Sequence, residues 1–228
     1  MLRFEDIRKS YGPKPVLQGL SGDFGAGAWA LRGPNGIGKS TLLKVLAGAV
    51  EPDGGAVWIG GLPMLGDPAA AKARLAYAPD ECPVYPFMTG REFLAFVAWA
   101  KRCELCAGVQ AIVDAFGLMR HLDTRCGAMS LGTQKKLMLA AGWIGNPAVL
   151  LCDEPSNGLD AGTRLVLIDL LREKSVQATV LVSTHDQAFT QALGATVLDF
   201  ADLAPPPAWP EAAQAPPSPN RSWASRMA

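Results

Sequence analysis

Two stretches, AVLLCDE (148–154) and ATVLVST (178–184), are short continuous apolar runs, the pattern of strands buried on both faces of a sheet. Around them the spacing turns helical. KSTLLKVLAGAV (39–50) predicts a helix stopped by Gly48 and Pro52. Residues 90–119 carry Phe93, Phe96, Val97, Ile112, Val113 and Phe116 at helical intervals. LGTQKKLMLAAGWIG (131–145) and TRLVLIDLLREK (163–174) predict two more helices. Residues 2–7 and 16–20 read as strands joined by a turn at Gly12 and Pro13, and AWALRG (28–33) and GAVWIGG (55–61) as strands bounded by glycine. Strands alternating with helices imply a parallel sheet in an α/β layer architecture.

From Ala204 the pattern stops. APPPAWPEAAQAPPSPNRSWASRMA (204–228) holds seven prolines and no apolar period, the composition of a disordered, partly extended tail. FLAFVAWA (93–100) is apolar but far short of the roughly 20 residues a membrane span needs. The N-terminus lacks the apolar run of a signal peptide, so a soluble chain is expected.

Charge narrows the function classes. Lys plus Arg and Asp plus Glu both number 21, a net charge of zero, with no electrostatic footprint for nucleic acid or an anionic membrane. Five cysteines without a secretion signal are expected to be reduced thiols. Cys103 and Cys106 form a CxxC followed by His121 and Cys126, but no second CxxC completes a metal-site pattern.

The chemistry is carried elsewhere. GPNGIGKST (33–41) fits G-x-x-x-x-G-K-[ST] between a predicted strand and a predicted helix. Glycines let the backbone wrap phosphates so that amide N–H groups and the helix N-terminus face the anion. Lys39 can reach the β- and γ-phosphates, and the Ser40 hydroxyl can ligate Mg²⁺. At average composition this pattern arises by accident in a chain this long on the order of one time in a hundred. AVLLCDEP adds Asp153, a carboxylate at the C-terminal edge of a buried strand that can hold Mg²⁺, largely through water. Glu154 follows and can orient or deprotonate an attacking water.

These motifs together resemble the nucleotide-binding subunit of an ATP-binding-cassette (ABC) transporter, from about residue 2 to 203. Tyr11 stands where the family's aromatic stacks on adenine. GPNGIGKST resembles Walker A, with Gly33, Asn35, Gly36, Gly38, Lys39, Ser40 and Thr41 as ligands of ATP. MSLGTQKKL (129–137) resembles the signature motif and LLCDEP Walker B with its catalytic Glu154. SNGLD (156–160) resembles the D-loop, with Asp160, and STHD (183–186) carries the switch histidine, His185. The signature reads SLGTQ, with Leu131 and Thr133 departing from the commonest LSGGQ form and Ser130, Gly132 and Gln134 kept. SLG followed by a basic pair is closer to exporter-type members than to solute importers.

The resemblance implies a P-loop NTPase core: a parallel sheet, an N-terminal antiparallel β-subdomain and an α-helical subdomain inserted at about 81–145, all within an ATP-binding domain of residues 1–203. It implies ATP hydrolysis with Mg²⁺ by a head-to-tail homo- or heterodimer, in which each signature motif serves the partner's nucleotide. It also implies a separate transmembrane permease subunit, through which this chain sits at the cytoplasmic face of the inner (plasma) membrane. YAPDECPVYPFMT (77–89) falls at the family's Q-loop, with Asp80 where the family usually has Gln. A carboxylate is a hard oxygen ligand for Mg²⁺, so Asp80 is expected as a metal-reaching hinge residue that Gln could largely replace, while Glu81 is solvated or faces the permease.

Rival classes predict features the sequence lacks. A cassette protein of DNA or ribosomes would show two cassettes, a long coiled-coil insertion or a basic surface. A non-hydrolysing module would have lost Lys39, Glu154 or His185. A solute importer remains the nearest alternative.

Overall fold

The computed structural model describes residues 1–66 and 68–204, so the expectation for the proline-rich tail lies outside the described residues apart from Ala204. The chain opens with β1 (Leu2–Tyr11) and β2 (Lys14–Phe24), antiparallel, with Tyr11 paired to Lys14 across the tight turn and Gly12 at φ 58°. β3 (Gly27–Arg32) leads into α1 (Lys39–Leu46), and then come β4 (Gly54–Ile59) and the two-residue β5 (Leu62–Pro63). α1 ends before the expected residue 50. Gly48, at φ 63°, turns the chain left-handed and its N–H donates to the Val45 carbonyl, closing the last turn.

α2 (Ala69–Ala73) and β6 (Leu75–Ala78) precede α3 (Gly90–Ala100), α4 (Ala107–Ala115) and α5 (Leu131–Ala141). These three helices contribute no strand to either sheet. Thr89 starts α3 with a capping box, its hydroxyl accepting from the Glu92 N–H while the Glu92 carboxylate accepts from the Thr89 N–H. Within the helically spaced stretch 90–119 the chain leaves the helix at Arg102, at φ 53°. β7 (Val149–Asp153), α6 (Ala161–Ser175), β8 (Thr179–Ser183), α7 (Gln187–Leu193) and β9 (Thr196–Asp199) complete the fold.

The strands form two sheets. One is antiparallel in the order β2-β1-β4-β5, and the other is parallel in the order β6-β7-β8-β3-β9. Gly55, at φ 93°, sits under a bulge of β1, where a Cβ would meet the carbonyl oxygens of Glu5 and Asp6 at 2.4 and 2.5 Å. Only glycine lets the two strands approach there.

β7 and β8 are buried at every residue. Their alternation divides them between two cores. Leu150, Cys152, Val180 and Val182 face a core shared with Leu167, Leu171, Phe189 and helices α3 to α5. Val149, Leu151 and Leu181 face a second core built from Leu42, Leu43 and Leu46 of α1 and Leu2, Phe4 and Ile7 of β1. The continuous apolar runs therefore reflect a central sheet packed on both sides. Each fully buried Leu in such a layer contributes about 1.5–3 kcal/mol.

The parallel register sets the place of function. Ala78 lies opposite Cys152, Asp153 opposite Ser183, and Leu31 opposite Ser183. The segments after β6, β7, β8 and β3 therefore all leave from one carboxyl edge, where open α/β sheets bind ligands.

Candidate nucleotide site

A cavity of about 450 Å³ opens at that edge. The loop between β3 and α1 forms its floor, with Asn35, Gly36, Gly38, Lys39, Ser40 and Thr41 in the wall. Gly38 caps α1 at φ 119°, and a Cβ there would press on Leu17 and Val16 at 3.1 Å. Lys39 is buried, and its ammonium donates to the carbonyls of Gly33 at 2.7 Å and Pro34 at 3.2 Å. Gly33 is thus behind the wall, holding the lysine, rather than in it. The loop is curled around a buried cation at the start of a helix, a ready anion site.

Across the cavity stand Asp153 and Glu154. Asp153 is 3% exposed and accepts a hydrogen bond from the Ser183 hydroxyl on the neighbouring strand. Glu154 adopts a left-handed φ of 44°, with its N–H donating to the Ser183 carbonyl. This sparsely populated conformation costs on the order of 1 kcal/mol or more and sharply turns the chain after β7. His185 Nδ1 lies 3.1 Å from Glu154 Oε1, and the hydrogen bond to that carboxylate, then its charge, raises the imidazole pKa. Glu154 Oε2 is buried with no partner. An unpaired buried carboxylate oxygen is costly.

Tyr11 stands at the rim beside Val16, half exposed, with the Lys9 ammonium 5.9 Å from the ring centroid. Asp80 also reaches the wall, on the segment leaving β6. Its Oδ1 is 3.4 Å from the Lys135 ammonium and 3.4 Å from the Asn157 amide nitrogen. Glu81 beside it is exposed. Sequence reasoning missed Val16, Asn157 and Lys135. Asn157 was legible within SNGLD; Lys135 carried no signal, because a basic pair on a helix normally marks a solvated face.

The remaining expected residues lie outside the wall. Ser130 caps α5, its hydroxyl accepting from the Thr133 N–H at 3.2 Å. Gly132 packs closely against the Gly158 carbonyl, where a Cβ would sit at 3.3 Å. The Gln134 amide is turned back, donating to the Cys126 and Met129 carbonyls. Asp160 caps α6 through the Thr163 N–H and hydroxyl, and the bond from that N–H heads the causes that bring its pKa down to about 2. The five cysteines are free thiols, and burial pushes Cys152 up to about 12.

Among the described residues no group of three or more His, Cys, Asp or Glu side chains could hold a metal alone. What the cavity does offer is the Ser40 hydroxyl with the Asp153 and Asp80 carboxylates. Such a hard but incomplete oxygen set fits Mg²⁺ that keeps water and phosphate ligands.

A phosphate loop opening a helix, with acidic residues ending a parallel strand one place removed in the same sheet, defines a P-loop nucleotide-binding protein. The family model described as ABC transporter matches residues 17–157, and the chain belongs to the ABC transporter ATP-binding family. It is 34% identical over 191 residues to the Nod factor export ATP-binding protein I of Paraburkholderia xenovorans, covering 81% of this chain and 62% of the relative. It is 34% identical over 193 residues to the alpha-glucoside transport ATP-binding protein AglK of Rhizobium meliloti, covering 82% and 53%. A solved ATP-binding subunit of an ABC transporter superposes with a TM-score of 0.77 at 29% identity, over 84% of this chain and 82% of that one. The chain spans little more than half to three-fifths of the length of the curated relatives it matches.

Proposed function

We propose that this chain is the ATP-hydrolysing subunit of an ABC exporter, working with a separate permease at the cytoplasmic face of the membrane. One cavity carries the reading: it joins Lys39, Ser40 and Thr41 to Asp153, Glu154 and His185. The reaction is attack of water on the γ-phosphorus of ATP, breaking its bond to the β-phosphate oxygen and yielding ADP and phosphate. Glu154 orients the water and takes its proton. Lys39 and the loop amides hold the phosphates, and Tyr11 takes the adenine. Ser40, Asp153 and Asp80 would hold Mg²⁺, which supplies charge neutralisation at the β- and γ-phosphates.

Ser130 and Gly132 stand outside the wall of their own chain's cavity. This supports a head-to-tail dimer in which the N-terminus of α5 completes the partner's site, and the dimer closes on ATP and reopens after hydrolysis. No helix among the described residues is long and apolar enough to cross a membrane, which fits a permease on another polypeptide. The SLG form of the signature favours export, while the match to a protein named for alpha-glucoside transport keeps import as the alternative.

The test is ATPase activity of the purified chain with and without Mg²⁺, beside Lys39→Ala. Mg²⁺-dependent hydrolysis lost in the variant is expected; equal rates in both proteins would refute the assignment. Cargo movement in inverted vesicles carrying the co-purified permease separates export from import.

A further inference from the structure

Lys135 is 4% exposed, on the second turn of the helix that Ser130 caps. Its ammonium donates to the Pro79 carbonyl at 3.3 Å, the Asp80 carbonyl at 3.1 Å and Asp80 Oδ1 at 3.4 Å. Among the described residues Asp80 is the only carboxylate within ion-pair distance of it. A buried ammonium is tolerated only when it is paired and hydrogen-bonded. The carboxylate at position 80 therefore answers a demand from α5 as well as from the cavity. Asp80 is itself half exposed, and the Lys135 and Asn157 contacts both use Oδ1, leaving Oδ2 uncommitted.

We propose that Lys135 is a positioning residue that ties the signature helix to the metal end of the nucleotide cavity through Asp80. The inference rests on the nucleotide-binding reading above. Lys135 holds the carboxylate by one oxygen and leaves the other for the cation. Its positive charge also weakens the hold of Asp80 on that cation. A change in how Asp80 is engaged is then passed along α5 to Ser130, the residue offered to the opposite subunit. Gln at position 80 could still offer an oxygen to Mg²⁺, but it cannot neutralise Lys135. This runs against the sequence expectation that Gln could largely replace Asp80.

The test is a double-mutant cycle with two readouts. Thermal unfolding of the nucleotide-free protein should show Asp80→Gln lowering Tm by about 3–6 °C, because the buried ammonium loses its counter-charge. Asp80→Gln with Lys135→Met should recover most of that loss. The second readout is the Mg²⁺ midpoint for binding of a fluorescent ATP analogue. Lys135→Met should lower that midpoint roughly threefold to tenfold, since a competing positive charge is gone, and at the same time lower turnover. Lys135→Arg should restore turnover. A merely structural lysine would leave the Mg²⁺ midpoint in place. An unchanged Tm in Asp80→Gln, no recovery in the double variant, or an unmoved Mg²⁺ midpoint in Lys135→Met would each overturn the proposal. If the wild-type chain fails to bind the analogue, the nucleotide reading fails instead, and the Tm cycle still decides the tether.

Discussion

Glu154 Oε1 and His185 Nδ1 lie 3.1 Å apart, joining the ends of two adjacent parallel strands. Glu154 is 15% exposed and His185 67%, so the histidine covers the carboxylate from the solvent side. One oxygen of Glu154 is thereby fixed, and the other is buried without a partner.

Glu154→Gln keeps the shape of the side chain and removes the base. Turnover is expected to fall by about 10²- to 10⁴-fold, with ATP binding retained and a closed dimer accumulating. Size-exclusion chromatography with ATP and Mg²⁺ reads the dimer. Wild-type turnover in the variant would remove Glu154 from the base role.

The imidazole pKa is raised above 6.5 by the Glu154 carboxylate. The sign follows from linkage: the charge-assisted contact is fully present below the unfolded value near 6.5 and is lost as pH rises through the higher folded value. Glu154→Gln should therefore shift the His185 titration down toward 6.5, as followed by the ring-proton NMR signal. A titration unmoved by the substitution would mean that the contact does not persist in solution.

Ser130→Arg should abolish ATPase activity while ATP affinity of the isolated monomer changes less than about threefold. Ser130 stands outside the wall of its own chain's cavity, and in the dimer proposed above it is offered to the opposite subunit. Equal collapse of monomer affinity would contradict action in trans.

Leu151, fully buried in the central strand, packs into the core that carries α1 and the phosphate loop. Leu151→Ala is expected to cost about 2–5 kcal/mol, read as a lower urea midpoint with unchanged slope. A cost below about 1 kcal/mol would show that the site collapses to fill the cavity.

The sequence by itself determined what short range dictates. GPNGIGKST carries its own loop, glycine conformations and helix start within nine residues, and it is found where it was read. The buried runs of β7 and β8 were legible because burial on both faces demands unbroken apolar residues. Tertiary structure decided the rest. β6 and β9 are four residues each, too short for a periodic signal, and exist through pairing with β7 and β3. The split between α3 and α4 depends on packing, with the Lys101 ammonium donating to the Ile144 carbonyl at 2.9 Å. The meeting of Asp80, Asp153 and His185 at one sheet edge comes from parallel register between strands far apart in the chain, and Tyr11 reaches the same cavity from the antiparallel sheet. The same holds for Lys135: its charge marks a surface residue, and only the fold buries it against Asp80, 55 residues earlier in the chain.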